Sequence, residues 1–169
     1  MSHASSQYPI TPIGVILTPF TQSTGTPLQS ALAQGAEGTV EVFTEFAPGL
    51  KDLEEFDRVW LIYRFDRAAE TRLTVQPYLD SSEHGVFATR APARPNQIGM
   101  SAVRLLGIQG NRLRVADVDM LNDTPLLDIK PYVPAFDHFL VSRAGWYKDR
   151  LTTGTVADDR FERKKTQGT

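Results

Sequence analysis

Five consecutive apolar residues, Val59 to Tyr63 (VWLIY), constrain this chain more than any other feature, because all but Leu61 are β-branched or aromatic. The run is too short for a helix buried around its whole circumference, so it predicts a central strand covered on both faces. Other segments extend the pattern. In Thr39 to Phe46, Val40, Val42, Thr44 and Phe46 share one parity while Glu41 and Glu45 lie on the other, with Phe43 as the one exception; this predicts a half-buried strand. Ile13 to Leu17, Leu73 to Val75 and Val86 to Thr89 supply further short strands. Met100 to Ile108 and Leu113 to Met120 flank Gln109, Gly110, Asn111 and Arg112. Gly-Asn there supplies the positive φ angles of a tight hairpin. In the second strand the apolar parity slips near Ala116, which predicts a β-bulge. Helical signals are confined to Leu50 to Phe56, two turns, and Leu28 to Gln34, one or two. Many short strands and few helices predict an all-β fold, a barrel or strongly curved sheet.

The 169 residues are 41% hydrophobic, enough for the core of one domain. The expected organisation is a flexible N-terminal tail over 1–8, a barrel domain over 9–147 and a polar, loosely held C-terminal tail over 148–169. A net charge of −2 gives no global pull toward nucleic acid or lipid. The absence of cysteine excludes disulfides, thiolate metal sites and thiol nucleophiles. No apolar stretch is long enough to span a membrane, and MSHASSQYP lacks the features of a secretory signal, so a cytoplasmic protein is expected.

Charge is unevenly spread. Residues 84–116 contain Arg90, Arg94, Arg104, Arg112, Arg114 and His84 with no acid, which predicts one basic face suited to a phosphate or carboxylate, or arginines that merely keep sheet edges soluble. Within this window Pro92 and Pro95 stiffen the segment that carries Arg90 and Arg94. A second constellation interleaves Asp119, Asp123 and Asp128 with an apolar run ending at Lys130; such carboxylates accept hydroxyls, act as bases or cap turns. No glycine-rich phosphate loop is present, and two histidines outside the N-terminal tail, His84 and His138, supply a metal site poorly. Beside Phe136 and Phe139, His138 reads as a packed histidine rather than as the partner of Asp137 in a triad.

The segments GVFATRAPARPNQIGMS (Gly85 to Ser101) and DMLNDTPLLDIKPYVP (Asp119 to Pro134) resemble the hallmark motifs of the TsaA-like, or TrmO, family, GVFATRSPxRPNPIGxS and DxLDGTPLLDIKPYxP. PIGVILTPF and GLKDLEEFDRVWLIYRF match in order as well, so the resemblance covers roughly residues 9–138. It implies a single small β-barrel, usually a homodimer, that binds S-adenosylmethionine without a Rossmann fold. It further implies methylation of N6 of threonylcarbamoyladenosine beside the tRNA anticodon. By motif position the methyl donor would meet Pro27, Leu28, Gln29, Asp66, Arg67, Arg90, Met100, Leu121, Asn122, Asp123 and Thr124. Leu28 stands where relatives often have arginine, Asp66 follows Phe65 where histidine often does, LDGT reads LNDT, and RPNPIG reads RPNQIG.

Asp66 is expected to act as the general base on a carbamoylated N6, and Arg90 to pair with the donor's carboxylate. Tyr63, Tyr78 and Arg94 are candidate stacking partners for a splayed anticodon-loop base, with Lys130 as a further substrate contact and no metal required. A methyltransferase acting on a small molecule or another modified base, and a non-catalytic donor-binding module, are the alternatives.

Overall fold

The computed structural model describes residues 8–148, 150 and 155–163. The expected N-terminal tail thus lies almost wholly outside the described residues. Eight strands are present: β1 (Gly14–Leu17), β2 (Glu37–Val42), β3 (Arg58–Arg64), β4 (Thr74–Val75), β5 (His84–Gly85), β6 (Ile98–Gln109), β7 (Arg112–Ala116) and β8 (Thr124–Pro131). Six of them close an antiparallel barrel in the order β1-β2-β7-β6-β3-β8, and β4 pairs with β5 outside it.

The barrel interior is filled from one parity of each strand. Ile16, Val40, Val42, Val59, Leu61, Val103, Leu113, Val115 and Leu126 are all buried in one cluster. In β3 that parity is Val59, Leu61 and Tyr63, while Trp60 and Ile62 on the outer side are only half-buried. The strand is central, between β6 and β8, but it is not sealed on both faces as its continuous apolar run predicted. Trp60 instead covers itself against Tyr132, ring centroids 5.6 Å apart. β8 has no counterpart among the strands expected from the sequence; it begins at Thr124, directly after Asn122 and Asp123.

Several expectations are corrected. β2 stops at Val42, and Thr44 and Phe46 belong to a 3₁₀ segment, Thr44–Leu50. The chain turns there because Phe46 N–H donates to Phe43 O rather than to a neighbouring strand. Val86–Ala88 is a 3₁₀ turn, not a strand: Thr89 bonds Val86 O through both its N–H and its hydroxyl, and Phe87 faces solvent. The helical expectations shrink to the 3₁₀ turns Ser30–Leu32 and Leu53–Glu55, the latter entered through Asp52 at φ 64°.

The β6–β7 hairpin turns on Gly110 and Asn111, but Gly110 alone has positive φ, 60°, the arrangement of a type II′ turn. The bulge lies on β6, where the register shifts between Leu105 and Gly107, and not in β7 near Ala116. The parity slip near Ala116 falls at Asp117, whose φ is 70°: Val115 on one parity and Val118 on the other are both fully buried.

Residues 65–97, between β3 and β6, leave the barrel and build a small lobe whose core is Val75, Val86, Ala91 and Ala93. Phe161 completes that core at 4% exposure. The described part of the C-terminal segment, 155–163, is therefore docked and not loosely held. It bridges at Pro27–Val156 and Ala68–Glu162, with Ala157 N–H donating to Thr26 O (2.8 Å) and Arg163 N–H to Arg67 O (2.9 Å). His138, Phe136 and Phe139 are exposed, so the packed-histidine expectation fails; the helical turn Pro134–Asp137 carries them off the barrel surface. No described helix is long and apolar enough to cross a membrane.

Candidate functional site

At one end of the barrel the loop through Ser23–Gln29, the 65–97 lobe and the C-terminal segment enclose a cavity of about 390 Å³. That is within the usual range for small-molecule sites. Strand ends supply its floor: Tyr63 at the end of β3, Gly99–Ser101 at the start of β6, Asp119 and Met120 after β7, and Thr124 opening β8.

The floor carries a polar chain. Tyr63 OH bonds Ser101 Oγ at 3.1 Å, and Ser101 Oγ donates to Asp119 Oδ1 at 2.6 Å. Burial pushes the Asp119 carboxyl up from 3.8 to about 6, against the lowering effects of the Ser101 and Ser30 hydrogen bonds and the Arg90 charge. Burial likewise raises Tyr63, so its phenol stays protonated. Gly99 makes this packing possible, because a Cβ there would run into the Tyr63 ring.

Above the floor, Arg90 donates to Gln29 Oε1 and makes no ion pair among the described residues, although Asp119 and Tyr63 both feel its charge. Arg67 ties two loops together. Its Nη2 donates to Asn122 O (2.6 Å) and Thr124 Oγ1 (3.2 Å), and its Nε meets Asp66 Oδ1 at 3.4 Å. The 121–124 turn is held further by Asn122 Oδ1, which accepts Thr18 N–H, and by Thr124 Oγ1, which donates to Leu121 O. Asp123 takes φ 59°, the left-handed geometry suited to the glycine of the resembled LDGT motif. Gln97 takes φ 50°, closed to a proline ring, and its N–H donates to Arg94 O.

Of the residues singled out from the sequence, Pro27, Leu28, Gln29, Tyr63, Asp66, Arg67, Tyr78, Arg90, Arg94, Met100, Leu121 and Thr124 line the cavity. Asn122 and Asp123 are not in its wall; they shape the turn behind it. Lys130 is paired with Asp128 at 2.8 Å outside the wall. The three stacking candidates are already engaged. Tyr63 is buried, Arg94 donates to Thr89 O and Ala91 O, and Tyr78 is covered by the Arg160 guanidinium (4.9 Å) and the Phe161 edge.

A single basic face does not form either. Arg104 pairs with Asp117 (3.0 Å), Arg112 with Glu41 (2.8 Å) and Arg114 with Glu37 (3.5 Å), because β7 lies between β6 and the acidic β2. Sequence reasoning named Asp119 among three candidate carboxylates without counting it as a donor contact, and passed over Ser101, Trp146, Tyr147, Phe161 and Glu162. The signal for Asp119 was present in the second motif; the C-terminal residues carried none, since their docking is visible only in three dimensions. Among the described residues no group of acids and histidines is placed to hold a metal.

The tRNA-methyltransferase O N-terminal domain family matches residues 15–138. A Pyrococcus abyssi protein named a probable S-adenosyl-L-methionine-binding protein is 58% identical over 140 residues, covering 83% of this chain and 76% of that protein. The mouse tRNA (adenine(37)-N6)-methyltransferase is 33% identical over 133 residues, 75% of this chain and 31% of the enzyme. The crystal structure of TrmO from Pseudomonas aeruginosa superposes with a TM-score of 0.72 at 38% identity, covering 86% of this chain and 63% of that one. The chain thus spans less than two thirds of the TrmO crystal chain and about a third of the mouse enzyme. With a six-stranded barrel, a cavity at its end and a family match over most of its length, the chain belongs to the TrmO family.

Proposed function

We propose that this protein is an S-adenosylmethionine-dependent methyltransferase acting on N6 of threonylcarbamoyladenosine in the tRNA anticodon loop, in the cytoplasm and as a homodimer. The observation that carries this reading is the cavity itself, apolar for the most part, with the Arg90 guanidinium free of any ion pair among the described residues and the Asp119 carboxylate enclosed, in a chain of the TrmO family. The residues fit such a donor. Arg90 offers a planar fork to an α-carboxylate, Asp119 a negative charge to an α-ammonium, and Leu28, Met100, Met120 and Leu121 an apolar seat for a flat ring. When bound, the donor supplies a methyl group already activated on a sulfonium.

What remains for the chain is to orient the acceptor and exclude water, which in well-oriented reactions contributes roughly 7–11 kcal/mol. Asp66 lines the cavity and stays partly exposed beside Arg67, so an entering acceptor can reach it. Its carboxylate takes the proton that a carbamoylated N6 must lose. Mass spectrometry of nucleosides from tRNA incubated with the protein and labelled donor tests the acceptor. A new methyl on threonylcarbamoyladenosine is expected, and its absence with donor bound rejects the assignment. Asp66→Asn is expected to lower the rate at least tenfold across a pH series with donor affinity intact; an unchanged profile removes Asp66 from proton transfer. One observation favours a smaller acceptor instead: Arg104, Arg112 and Arg114, the arginines of the acid-free stretch on β6 and β7, are ion-paired and so less available to RNA phosphates.

A further inference from the structure

Three aromatic rings form a column at the cavity wall. The Trp146 indole stacks on the His84 imidazole, centroids 4.6 Å apart and planes 15° apart, and on the Tyr147 ring at 3.8 Å and 27°. Polar bonds, and neither hydrophobic core, hold the column. Trp146 Nε1–H donates to Ala88 O at 2.8 Å. His84 Nε2 meets Asp80 Oδ2 at 3.0 Å, and Asp80 Oδ1 meets Arg150 Nη1 at 2.9 Å. The hydrogen bond from His84, then that from Ser82 N–H, holds the Asp80 carboxyl down at about 2, so this anchor stays charged at neutral pH. Both Trp146 and Tyr147 line the cavity, and among the described residues no further ring covers Tyr147.

Two further facts give the column a role. The family match ends at residue 138, so Trp146 and Tyr147 lie in the cavity wall but outside the matched domain. The other aromatic and guanidinium groups that could receive a flat ring, Tyr63, Tyr78 and Arg94, are spent on internal contacts. A rigid, half-exposed stack ending in a free phenol ring is the usual way to hold an unpaired base without reading its edge.

We propose that Tyr147, backed by Trp146 and His84, is the platform on which the acceptor's nucleobase stacks as it enters the cavity. This deepens the methyltransferase reading and rests on it for the identity of the ligand. Base-on-aromatic stacking is worth on the order of ten- to a hundredfold in affinity. Tyr147→Ala and Trp146→Ala are therefore expected to raise the acceptor KM by that factor, with donor affinity by calorimetry unchanged and Tyr147→Phe close to wild type. Binding is also read without turnover. Trp60 and Trp146 are the two tryptophans, so in a Trp60→Phe background the emission reports Trp146. Titration with an unmodified anticodon stem-loop RNA is expected to quench it saturably, and the Tyr147→Ala change to shift the midpoint at least tenfold. No quench, or a midpoint indifferent to Tyr147, overturns the platform whether or not methyl transfer occurs. Absence of methyl transfer with the quench intact rejects the methyltransferase reading alone.

Discussion

The proposed role of Asp119 would couple stability to ligand capture in one side chain. Its carboxyl ionises near 3.8 in an unfolded chain and at about 6 in the folded one, so the folded state binds the extra proton between those values. Stability from this group is full below about pH 4 and is lost as pH rises through about 6, a change of up to about 3 kcal/mol. Asp119→Asn is expected to melt higher than wild type at about pH 7.5, with the advantage gone near pH 4. Equal melting temperatures across that range would show that the carboxylate is not held at a cost. Donor affinity is expected to run the other way, falling as wild-type Asp119 is protonated below about pH 6 and weak at every pH in the Asn variant.

The element that most alters the picture is the docked segment 155–163. Phe161 is 4% exposed in the core of the 65–97 lobe, and its loss to alanine is expected to cost about 3–5 kcal/mol and to release the segment to limited proteolysis. A wild-type cleavage pattern would show that the strand bridges at Val156 and Glu162 suffice alone. The barrel strands themselves were largely legible, since period-two alternation states which residues face inward: Val40 with Val42, Leu113 with Val115. Failures fell where hydroxyl or backbone bonds bend the chain locally, as at Thr89 and Phe46, and where a left-handed residue such as Asp117 resets the parity. The cavity-lining residues between Pro27 and Thr124 were legible through their motifs. The C-terminal part of the wall was not, because a polar, charged stretch carries no pattern that says against what it will lie.

At the scale of the whole molecule, charge is balanced strand against strand. With Arg104, Arg112 and Arg114 paired to Asp117, Glu41 and Glu37, binding to tRNA is expected to weaken only moderately with salt, a log–log slope of about −2 to −4. A flat response would argue against an RNA acceptor. The order of the chain has a consequence for its birth. β8, which closes the barrel, leaves the ribosome some thirty residues before Phe161 and Glu162 do. A nascent chain can therefore complete its barrel while the cavity still lacks a wall, and the cavity is whole only once Phe161 and Glu162 have followed.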